Sequence, residues 1–471
     1  MENLMKDVDR FPFLKVIDEK KDLLSDCSDY LWEFPETAFT EFRSAAYLID
    51  LLEKEGFTVT KNIGGISTAF SGSYGEGHPV VGILGEFDAL SGLAQESNVT
   101  ESRPIPGQSC GQGCGHNFFG AGSIGAALAV KRYLETSKVA GTVIFFGTPA
   151  EEGGSGKGFM ARAGAFDGVD FAITWHPAAV NKIRESLSLA NAQILYKFDG
   201  VAAHAGANPE DGRSALDAVE LLNIGVQFLR EHMSDNCRVH YAITDTGGYS
   251  PNVVQGHSEV LYLIRAPRNS ELQALTERVD RIAEGAALMT ETKLSRTFIK
   301  ATSNTIINHT LCRVMDECAR KLDLPVPTED DIRFGRKLTE NAIFSSSRDP
   351  ETPFHPEIKP LTGIEEQGHG STDVGDVSWV CPTVQMSGAT WVAGTPGHSW
   401  QVVTQGKREW GKRITRFVAK AMALTAVQVM EDPALLAAAW EEHRENVGPN
   451  GYECPIPDDV VPTPLTSLLK K

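Results

Sequence analysis

The sequence predicts an α/β fold in which a smaller domain interrupts a larger one. Long amphipathic helical stretches alternate with short β-rich runs, which is typical of α/β proteins. Four of these runs are almost continuously apolar, as expected for strands buried on both faces of a sheet. The pattern changes between about residues 187 and 300, which indicates a separate domain. We therefore expect a discontinuous larger domain of residues 1–186 and 301–471, and an inserted domain of residues 187–300.

Each of the four apolar runs ends at, or leads to, a residue that can bind a metal or move a proton. The runs are Pro79–Gly85, Gly141–Gly147, Phe171–Trp175 and Pro382–Met386. The residues that follow them are, in the same order, Glu86 and Asp88, Glu151 and Glu152, His176, and His398. In open α/β sheets, ligands bind beyond the carboxyl ends of the strands, so we expect these side chains to converge.

The inserted stretch has the element order β-α-β-β-α-β, which is typical of a ferredoxin-like domain. Its predicted strands are Ala192–Phe198, Arg238–Ile243, Ser258–Ile264 and Lys293–Ile299, and its predicted helices lie near Ser214–Glu231 and Ser270–Met289. Outside the insertion, the charged, amphipathic stretch 15–56 predicts one long opening helix. The stretch 325–370 is rich in Pro, Ser, Gly and charge and has little periodicity, so it is predicted to be irregular.

The composition narrows the class of partners. The 471 residues carry 44 Lys and Arg against 62 Asp and Glu, a formal net charge of −18. Nucleic acids and anionic membrane surfaces bind basic faces, so neither is expected as a partner. Eight cysteines at irregular spacings do not form a disulfide framework. The N-terminus carries charges throughout and lacks the apolar core of a signal peptide, and a cytoplasmic location is expected.

A glycine-rich loop places a thiol and an imidazole two residues apart, at Cys114 and His116. By itself this pair indicates no more than a loop thiol near a hydrogen-bonded histidine. Together with one acid of Glu151–Glu152, with His176 and with His398, it makes five candidate ligands, more than one tetrahedral zinc with an open position can use. Five ligands, one of which can bridge, suit two divalent ions about 3.5–4 Å apart. The mixed N, S and O donors favour Zn or Mn, and the second acid would act as a general base.

Six motifs occur in order over almost the whole length: GCGHN, PAEEGGSGKG, TWHP, AAHAG, SPNVVQ and GTPGHSW. In this order and spacing they resemble the amidohydrolase branch of the aminoacylase/carboxypeptidase metallopeptidases. The segments STDVGDVSW (Ser371–Trp379) and CPIPDDVVPTP (Cys454–Pro464) resemble the aminobenzoyl-glutamate utilization group of that branch in particular. The resemblance implies a two-domain co-catalytic metallopeptidase fold, with a mixed-sheet catalytic domain and an inserted ferredoxin-like dimerisation domain.

The resemblance also implies roles for individual residues. Glu151 would be the general base, and His204 of AAHAG would stabilise the oxyanion in the site of the other protomer. Asn252 and Arg265 would hold the terminal carboxylate of the substrate. Asp88 is expected to orient a ligand histidine. The metal ligands would be Cys114, His116, Glu152, His176 and His398.

The predicted function is metal-dependent hydrolysis of the amide bond of N-acyl or N-aroyl amino acids, with p-aminobenzoyl-glutamate as the expected type of substrate. Two divalent ions are the expected cofactors, and a homodimer is the expected assembly, with a hetero-oligomer containing a related chain as the alternative. A dipeptidase, another N-acyl-amino-acid hydrolase and a metal-binding partner chain with low turnover remain alternative functions. The stretch 325–370 is hypothesised to form a lid or rim that selects the acyl group.

Two features depart from the expected patterns. Asn117 stands where members of the family often carry an acid, and Trp32–Glu36 lacks the histidine that many carry in the early helix. The segment Gly120–Gly125 matches the dinucleotide pattern G-x-G-x-x-G, but no strand precedes it. We interpret it as a run of small residues that lets a helix pack closely, which leaves a nucleotide oxidoreductase without other support.

Overall fold

The computed structural model describes residues 7–340, 351–368 and 370–469. They divide into two compact units. The first unit comprises Met1–Ser186, Ile306–Glu366 and Val377–Tyr452. The second comprises Leu187–Thr305, Gln367–Asp376 and Glu453–Lys471. The assignment of a catalytic role to one domain and of a pairing role to the other remains a prediction.

The described residues contain fifteen α-helices and fifteen strands. The helices are α1 (Asp7–Arg10), α2 (Lys15–Glu19), α3 (Lys21–Glu33), α4 (Phe42–Lys54), α5 (His116–Ser137), α6 (Gly156–Arg162), α7 (Ala215–Leu229), α8 (Asn269–Thr290), α9 (His309–Arg320), α10 (Glu329–Glu340), α11 (Val374–Val380), α12 (Trp400–Gln405), α13 (Glu409–Glu431), α14 (Pro433–Val447) and α15 (Leu465–Leu468). The strands are β1 (Thr58–Lys61), β2 (Phe70–Glu76), β3 (Val80–Gly85), β4 (Leu90–Ser91), β5 (Cys110–Gly111), β6 (Gly141–Gly147), β7 (Phe171–Ala178), β8 (Lys182–Ile183), β9 (Ser186–Leu187), β10 (Ala190–Asp199), β11 (Arg238–Asp245), β12 (His257–Ala266), β13 (Lys293–Thr302), β14 (Glu366–Gln367) and β15 (Thr383–Ala389).

The first unit is built on a seven-stranded mixed sheet with the order β1-β2-β6-β3-β7-β15-β8. The four predicted apolar runs are its neighbouring strands β6, β3, β7 and β15, which pair in parallel. Strands β1, β2 and β8 pair in the antiparallel sense. The mixed α/β fold is therefore confirmed, and its parallel strands bring their carboxyl ends to one edge of the sheet.

Helix α5 forms much of the core of this unit and packs against α13 and the central strands. A Cβ atom at Gly122 would lie 2.8 Å from Cζ2 of Trp175, so only glycine fits at this contact. The small residues of Gly120–Gly125 thus allow close packing of a buried helix.

The second unit contains a four-stranded antiparallel sheet with the order β11-β12-β10-β13, against which α7 and α8 pack. The chain order of these elements is β10-α7-β11-β12-α8-β13, so the predicted ferredoxin-like order is confirmed. Helix α7 begins where its sequence predicts, because the hydroxyl of Ser214 accepts a hydrogen bond from the backbone N–H of Asp217.

The predicted single helix over residues 15–56 is wrong, because the stretch forms α2, α3 and α4. The chain leaves the helical conformation at Phe34 (φ −118°, ψ 67°), directly before Pro35. Proline disfavours the helical conformation of the residue before it and supplies no N–H to continue a helix. The amphipathic periodicity is therefore real, but it belongs to separate helices.

The prediction of an irregular stretch over residues 325–370 is wrong for its first part, where α10 buries Phe334 and Leu338. Thr328 and Asp331 form a reciprocal cap, in which the Asp331 carboxylate accepts from the backbone N–H of Thr328 and the Thr328 hydroxyl accepts from that of Asp331. A threonine followed three residues later by an acid is a helix-start signal that the sequence does contain. Residues 341–350 and His369 of this stretch lie outside the described residues.

Across the described ranges, no single helix has both the length and the hydropathy to cross a membrane. Helices α13 and α14 reach those limits only as a pair, bent by 99°.

Candidate active site

The predicted metal ligands lie on loops and strand ends at the carboxyl edge of the first unit's parallel strands. Cys114 and His116 flank Gly115, which has a φ of +78° and lies directly before α5. Glycine adopts this left-handed conformation without steric cost, which allows the sharp entry into the helix. His176 lies within β7, rather than directly after it, and His398 lies in the loop that follows β15.

The structure brings all five of these side chains together in two overlapping groups that share Cys114. The donor atoms of Cys114, His116 and His176 all lie within 4.8 Å of one another. Those of Cys114, Glu152 and His398 do so as well. Within these groups, Cys114 Sγ is 3.4 Å from His176 Nε2, and Glu152 Oε1 is 3.4 Å from His398 Nε2.

The two buried imidazoles are oriented by hydrogen bonds at their Nδ1 atoms. His116 Nδ1 is 3.0 Å from Asp88 Oδ1, and His176 Nδ1 is 2.7 Å from the carbonyl oxygen of Pro177. Because both partners are acceptors, the proton is assigned to Nδ1, and the lone pair of Nε2 faces the other donors. Asp88 also accepts from the backbone N–H of Glu152 at 2.9 Å, so one carboxylate positions two of the predicted ligands.

The donor set fits divalent metal ions on two grounds. Thiolate, imidazole and carboxylate are the donors that zinc and similar ions prefer. Moreover, His116 Nε2 and Glu152 Oε1 are buried and form no hydrogen bond with any described residue. Buried polar atoms are nearly always paired in proteins, so two such atoms aimed into one cluster are the expected sign of a metal site.

Burial and nearby charge shift the acid–base behaviour of this cluster. Burial, reinforced by the charge of Glu152, raises the pKa of the Cys114 thiol far above its usual value. Burial and the charge of Arg184 lower the pKa of His176 well below its ordinary value. For His116, burial favours a lower pKa, but the negative charge of Cys114 and the bond to Asp88 outweigh it and raise the pKa. A bound cation would hold the thiol as thiolate.

Glu86 and Lys157 form a buried ion pair next to this cluster that the sequence analysis did not identify. Lys157 Nζ is 2.7 Å from Glu86 Oε1, and Glu86 Oε2 is 3.2 Å from His116 Nε2. Donor atoms of Glu86, His116 and Glu151 lie within 4.8 Å of one another, which makes a third candidate metal group. A signal for Glu86 was present, since it follows β3 directly. The burial of Lys157 within a glycine-rich loop had no signal in the sequence.

A second unrecognised acid, Glu41, holds the loop that carries Glu151 and Glu152. Glu41 is completely buried, and its Oε1 accepts from the backbone N–H groups of Phe39 and Ala150. Ala150 has a φ of +62°, a conformation that a residue with a Cβ atom rarely adopts without support. Burial and the charge of Asp88 raise the pKa of Glu41 to about 8.

The remaining predicted residues lie in the second unit. His204 is exposed, and its Nδ1 accepts from the backbone N–H groups of Gly206 and Ala207. The carbonyl of Asn252 accepts from the backbone N–H of Ala205, next to His204. Arg265 lies in β12, where its Nη1 donates to the hydroxyl of Ser371 at 3.1 Å, and burial lowers its pKa. The roles predicted for these three residues remain predictions.

Comparison with known proteins places the chain in a family. Residues 83–450 match the model of peptidase family M20/M25/M40. The chain is 43% identical over 470 residues to one of the two named subunits of p-aminobenzoyl-glutamate hydrolase of Escherichia coli K12, covering 95% of this chain and 98% of that protein. It is 30% identical to the Xaa-Arg dipeptidase of Mus musculus, covering 91% of this chain and 90% of that protein.

A solved structure shows the same fold. It is a dinuclear metal binding peptidase of the M20 family from Bacillus subtilis, with a TM-score of 0.56 and 20% identity over 88% of this chain and 99% of that chain. The family resemblance of the six motifs is thereby confirmed. The chain belongs to peptidase family M20/M25/M40 and is a metallohydrolase that acts on amide bonds.

Proposed function

We propose that the chain hydrolyses N-acyl and N-aroyl amino acids of the p-aminobenzoyl-glutamate type. The observation that supports this substrate most strongly is the 43% identity to the p-aminobenzoyl-glutamate hydrolase protein of Escherichia coli, over nearly the full length of both chains. The convergence of the five donor side chains beside a second acid supplies the chemistry that such a hydrolysis needs.

In this proposal Cys114, His116, Glu152, His176 and His398 hold two divalent ions. When bound, such ions polarise the carbonyl of the scissile amide and lower the pKa of a water molecule towards ~7. The side chain of Glu152 is aligned by the bond between its backbone N–H and Asp88, which favours it as the ligand of the acid pair. Glu151 is left as the base.

Glu151 takes a proton from the attacking water as its oxygen bonds to the carbonyl carbon. It then passes that proton to the leaving nitrogen as the C–N bond breaks, which releases the aromatic or aliphatic acid and the amino acid. Because Nδ1 of His204 accepts two backbone hydrogen bonds, the neutral ring carries its proton on Nε2. That N–H is a donor suited to the developing oxyanion, and Asn252 and Arg265 hold the terminal carboxylate.

Hydrolysis by the purified chain tests this function. The chain would be loaded with Zn or Mn, its metal content counted, and the release of p-aminobenzoate from p-aminobenzoyl-glutamate measured. We expect two ions per chain and turnover that a chelator abolishes. Absence of turnover with either metal would contradict the proposal.

A dipeptidase is the second candidate, because the chain is 30% identical to a Xaa-Arg dipeptidase over 91% of its length. Dipeptides that end in arginine therefore belong in the same assay. Faster hydrolysis of these dipeptides than of p-aminobenzoyl-glutamate would favour this candidate.

The composition of the assembly belongs to the same proposal. The Escherichia coli relative is named as one of two kinds of chain in its hydrolase, and the other kind is 30% identical to this chain over 45% of its length. We propose that the chain forms a homodimer and also pairs with a related chain of that other kind. Measurement of molar mass and turnover with and without the related chain separates an autonomous enzyme from a partner of low activity. A cytoplasmic location and an acyl-selecting rim at residues 325–370 remain predictions.

A further inference from the structure

Arg184 is a cation of the first unit that is held against the strand next to His176. Its backbone N–H donates to the carbonyl oxygen of Gln385 at 2.8 Å, directly after β8. Its Nε donates to the hydroxyl of Ser387 at 3.0 Å. Ser387 is 1% exposed and lies opposite His176 in the parallel pairing of β15 with β7. The position of the guanidinium is therefore set by the same two strands that position a predicted ligand.

The outer part of this guanidinium is uncommitted. Among the described residues, the two terminal amino groups of Arg184 form no hydrogen bond and no ion pair. A guanidinium presents its N–H donors as a planar fork that matches both oxygens of a carboxylate. Arg265 differs, because its Nη1 already donates to Ser371.

The charges around Arg184 are negative and belong to the candidate metal site. Burial lowers the pKa of Arg184, while the charges of Cys114, Glu86 and Glu151 act in the opposite direction. None of these groups forms a hydrogen bond or an ion pair with the guanidinium within the described part of the chain. Since Cys114 faces two imidazoles and Glu86 is paired with Lys157, the arginine lies near these anions without being neutralised by direct contact.

We propose that Arg184 binds a carboxylate of the N-acyl amino acid substrate and so contributes to its selection. The proposal rests on the proposed function, which supplies an anionic substrate. It adds an anion-binding group within the first unit to the pair Asn252 and Arg265 of the second. An N-acyl-glutamate offers two carboxylates, one on the α-carbon and one on the side chain, and the fork of Arg184 suits either of them.

The test compares Arg184→Met with the wild type in the metal-loaded, full-length chain. Methionine keeps much of the length of the arginine but removes the charge and the fork. The substrates are p-aminobenzoyl-glutamate, its α-amide, and p-aminobenzoyl-glutamine, in which the side-chain carboxylate is neutral. We expect KM for p-aminobenzoyl-glutamate to rise about 10–150-fold, with a much smaller change in kcat, because a hydrogen-bonded charge pair is lost.

One of the two neutralised analogues should be insensitive to the substitution, and that analogue identifies the carboxylate that Arg184 binds. Arg184→Lys keeps the charge without the fork and should recover part of the loss. Arg313→Met removes an exposed arginine of α9 that donates to Thr310 and should leave KM unchanged. An equal rise in KM for all three substrates, or a fall in kcat with KM unchanged, would overturn the assignment.

Binding measured without turnover keeps this inference separate from the proposed function. Calorimetric titration of p-aminobenzoyl-glutamate into Glu151→Gln and into Glu151→Gln/Arg184→Met, both metal-loaded, should show the same 10–150-fold loss of affinity. Equal affinity of the two proteins overturns the role of Arg184. Lack of turnover by a wild type that binds the ligand through Arg184 overturns the proposed hydrolysis alone.

Discussion

The imidazole of His116 in the first unit is fully buried and has a carboxylate near each nitrogen, whereas that of His204 in the second unit is exposed and hydrogen-bonded only through Nδ1. Two histidines of one predicted site are thus held in different ways. A buried ring fixed by a carboxylate suits a metal ligand, whose geometry must be set in advance. An exposed ring with one donor atom left suits a group that meets its target when substrate binds.

The same contrast extends to the neighbouring groups. Around the first unit's cluster, Asp88, Glu41 and the Glu86–Lys157 pair fix backbone and side chains through buried bonds. Around His204 the supporting bonds are backbone N–H groups of its own loop. Substitutions in the first unit should therefore change metal occupancy, whereas substitutions in the second should change turnover with the metal content preserved.

The largest effect is expected for Glu151→Gln. Loss of a general base costs about 10²–10⁴-fold in kcat, because glutamine cannot take the proton of the attacking water. Metal content, counted by elemental analysis, should remain near that of the wild type, whereas Glu152→Gln should lose metal. Metal loss in Glu151→Gln with retention in Glu152→Gln would show that the roles of the two acids are reversed.

His204→Ala should lower kcat by about 10²–10³-fold, as removal of an oxyanion donor does in other hydrolases. The number of bound ions should not change, since His204 is exposed and outside the donor cluster. His240→Ala, which removes another exposed histidine of the second unit, serves as the control. A parallel fall in metal content would break the contrast between the two units.

Asp88→Asn should reduce metal affinity or activity by about 10–100-fold, because an amide supplies one acceptor where the carboxylate serves both His116 and Glu152. Asp170→Asn is a matched control, since Asp170 also binds a histidine ring, His78, and a backbone N–H, that of Val80. Competition with a metal-binding dye measures the affinity. Equal losses in both variants would indicate a general structural effect.

The smallest effect is a pH dependence of stability in Glu41→Gln, in which the amide oxygen can still accept from Ala150 and Phe39. Because the pKa of Glu41 is raised to about 8 in the folded state, the folded chain binds more protons than the unfolded chain above the usual pKa of a glutamate. The free energy of unfolding of the wild type should therefore fall, by up to about 1.4 kcal/mol per pH unit, from near pH 4.5 to near pH 8.

Denaturant unfolding of the metal-free wild type and of Glu41→Gln over this pH range measures the difference. The variant should gain relative stability as the pH rises, since it has no buried carboxyl to ionise. A constant difference between the two proteins would show that Glu41 titrates normally.

The sequence predicted the fold class and the positions of the donor side chains because both follow local patterns. Buried parallel strands are apolar along their length, and the chain places a reactive side chain after each of them, as at Glu152 and His398. The opening helix was predicted wrongly because amphipathic periodicity continues across Pro35, where the helical backbone does not.

By itself, then, the sequence determined which strands are buried, which side chains follow them, and the β-α-β-β-α-β order of the second unit. Only the tertiary structure decided which distant groups support those side chains: Glu41 below Ala150, Lys157 against Glu86, and Arg184 against Ser387. The physical reason is that a buried charge tolerates its position only when a partner from another element neutralises or hydrogen-bonds it. Such partners are separated by many residues along the chain, so no local pattern of spacing or hydropathy marks them.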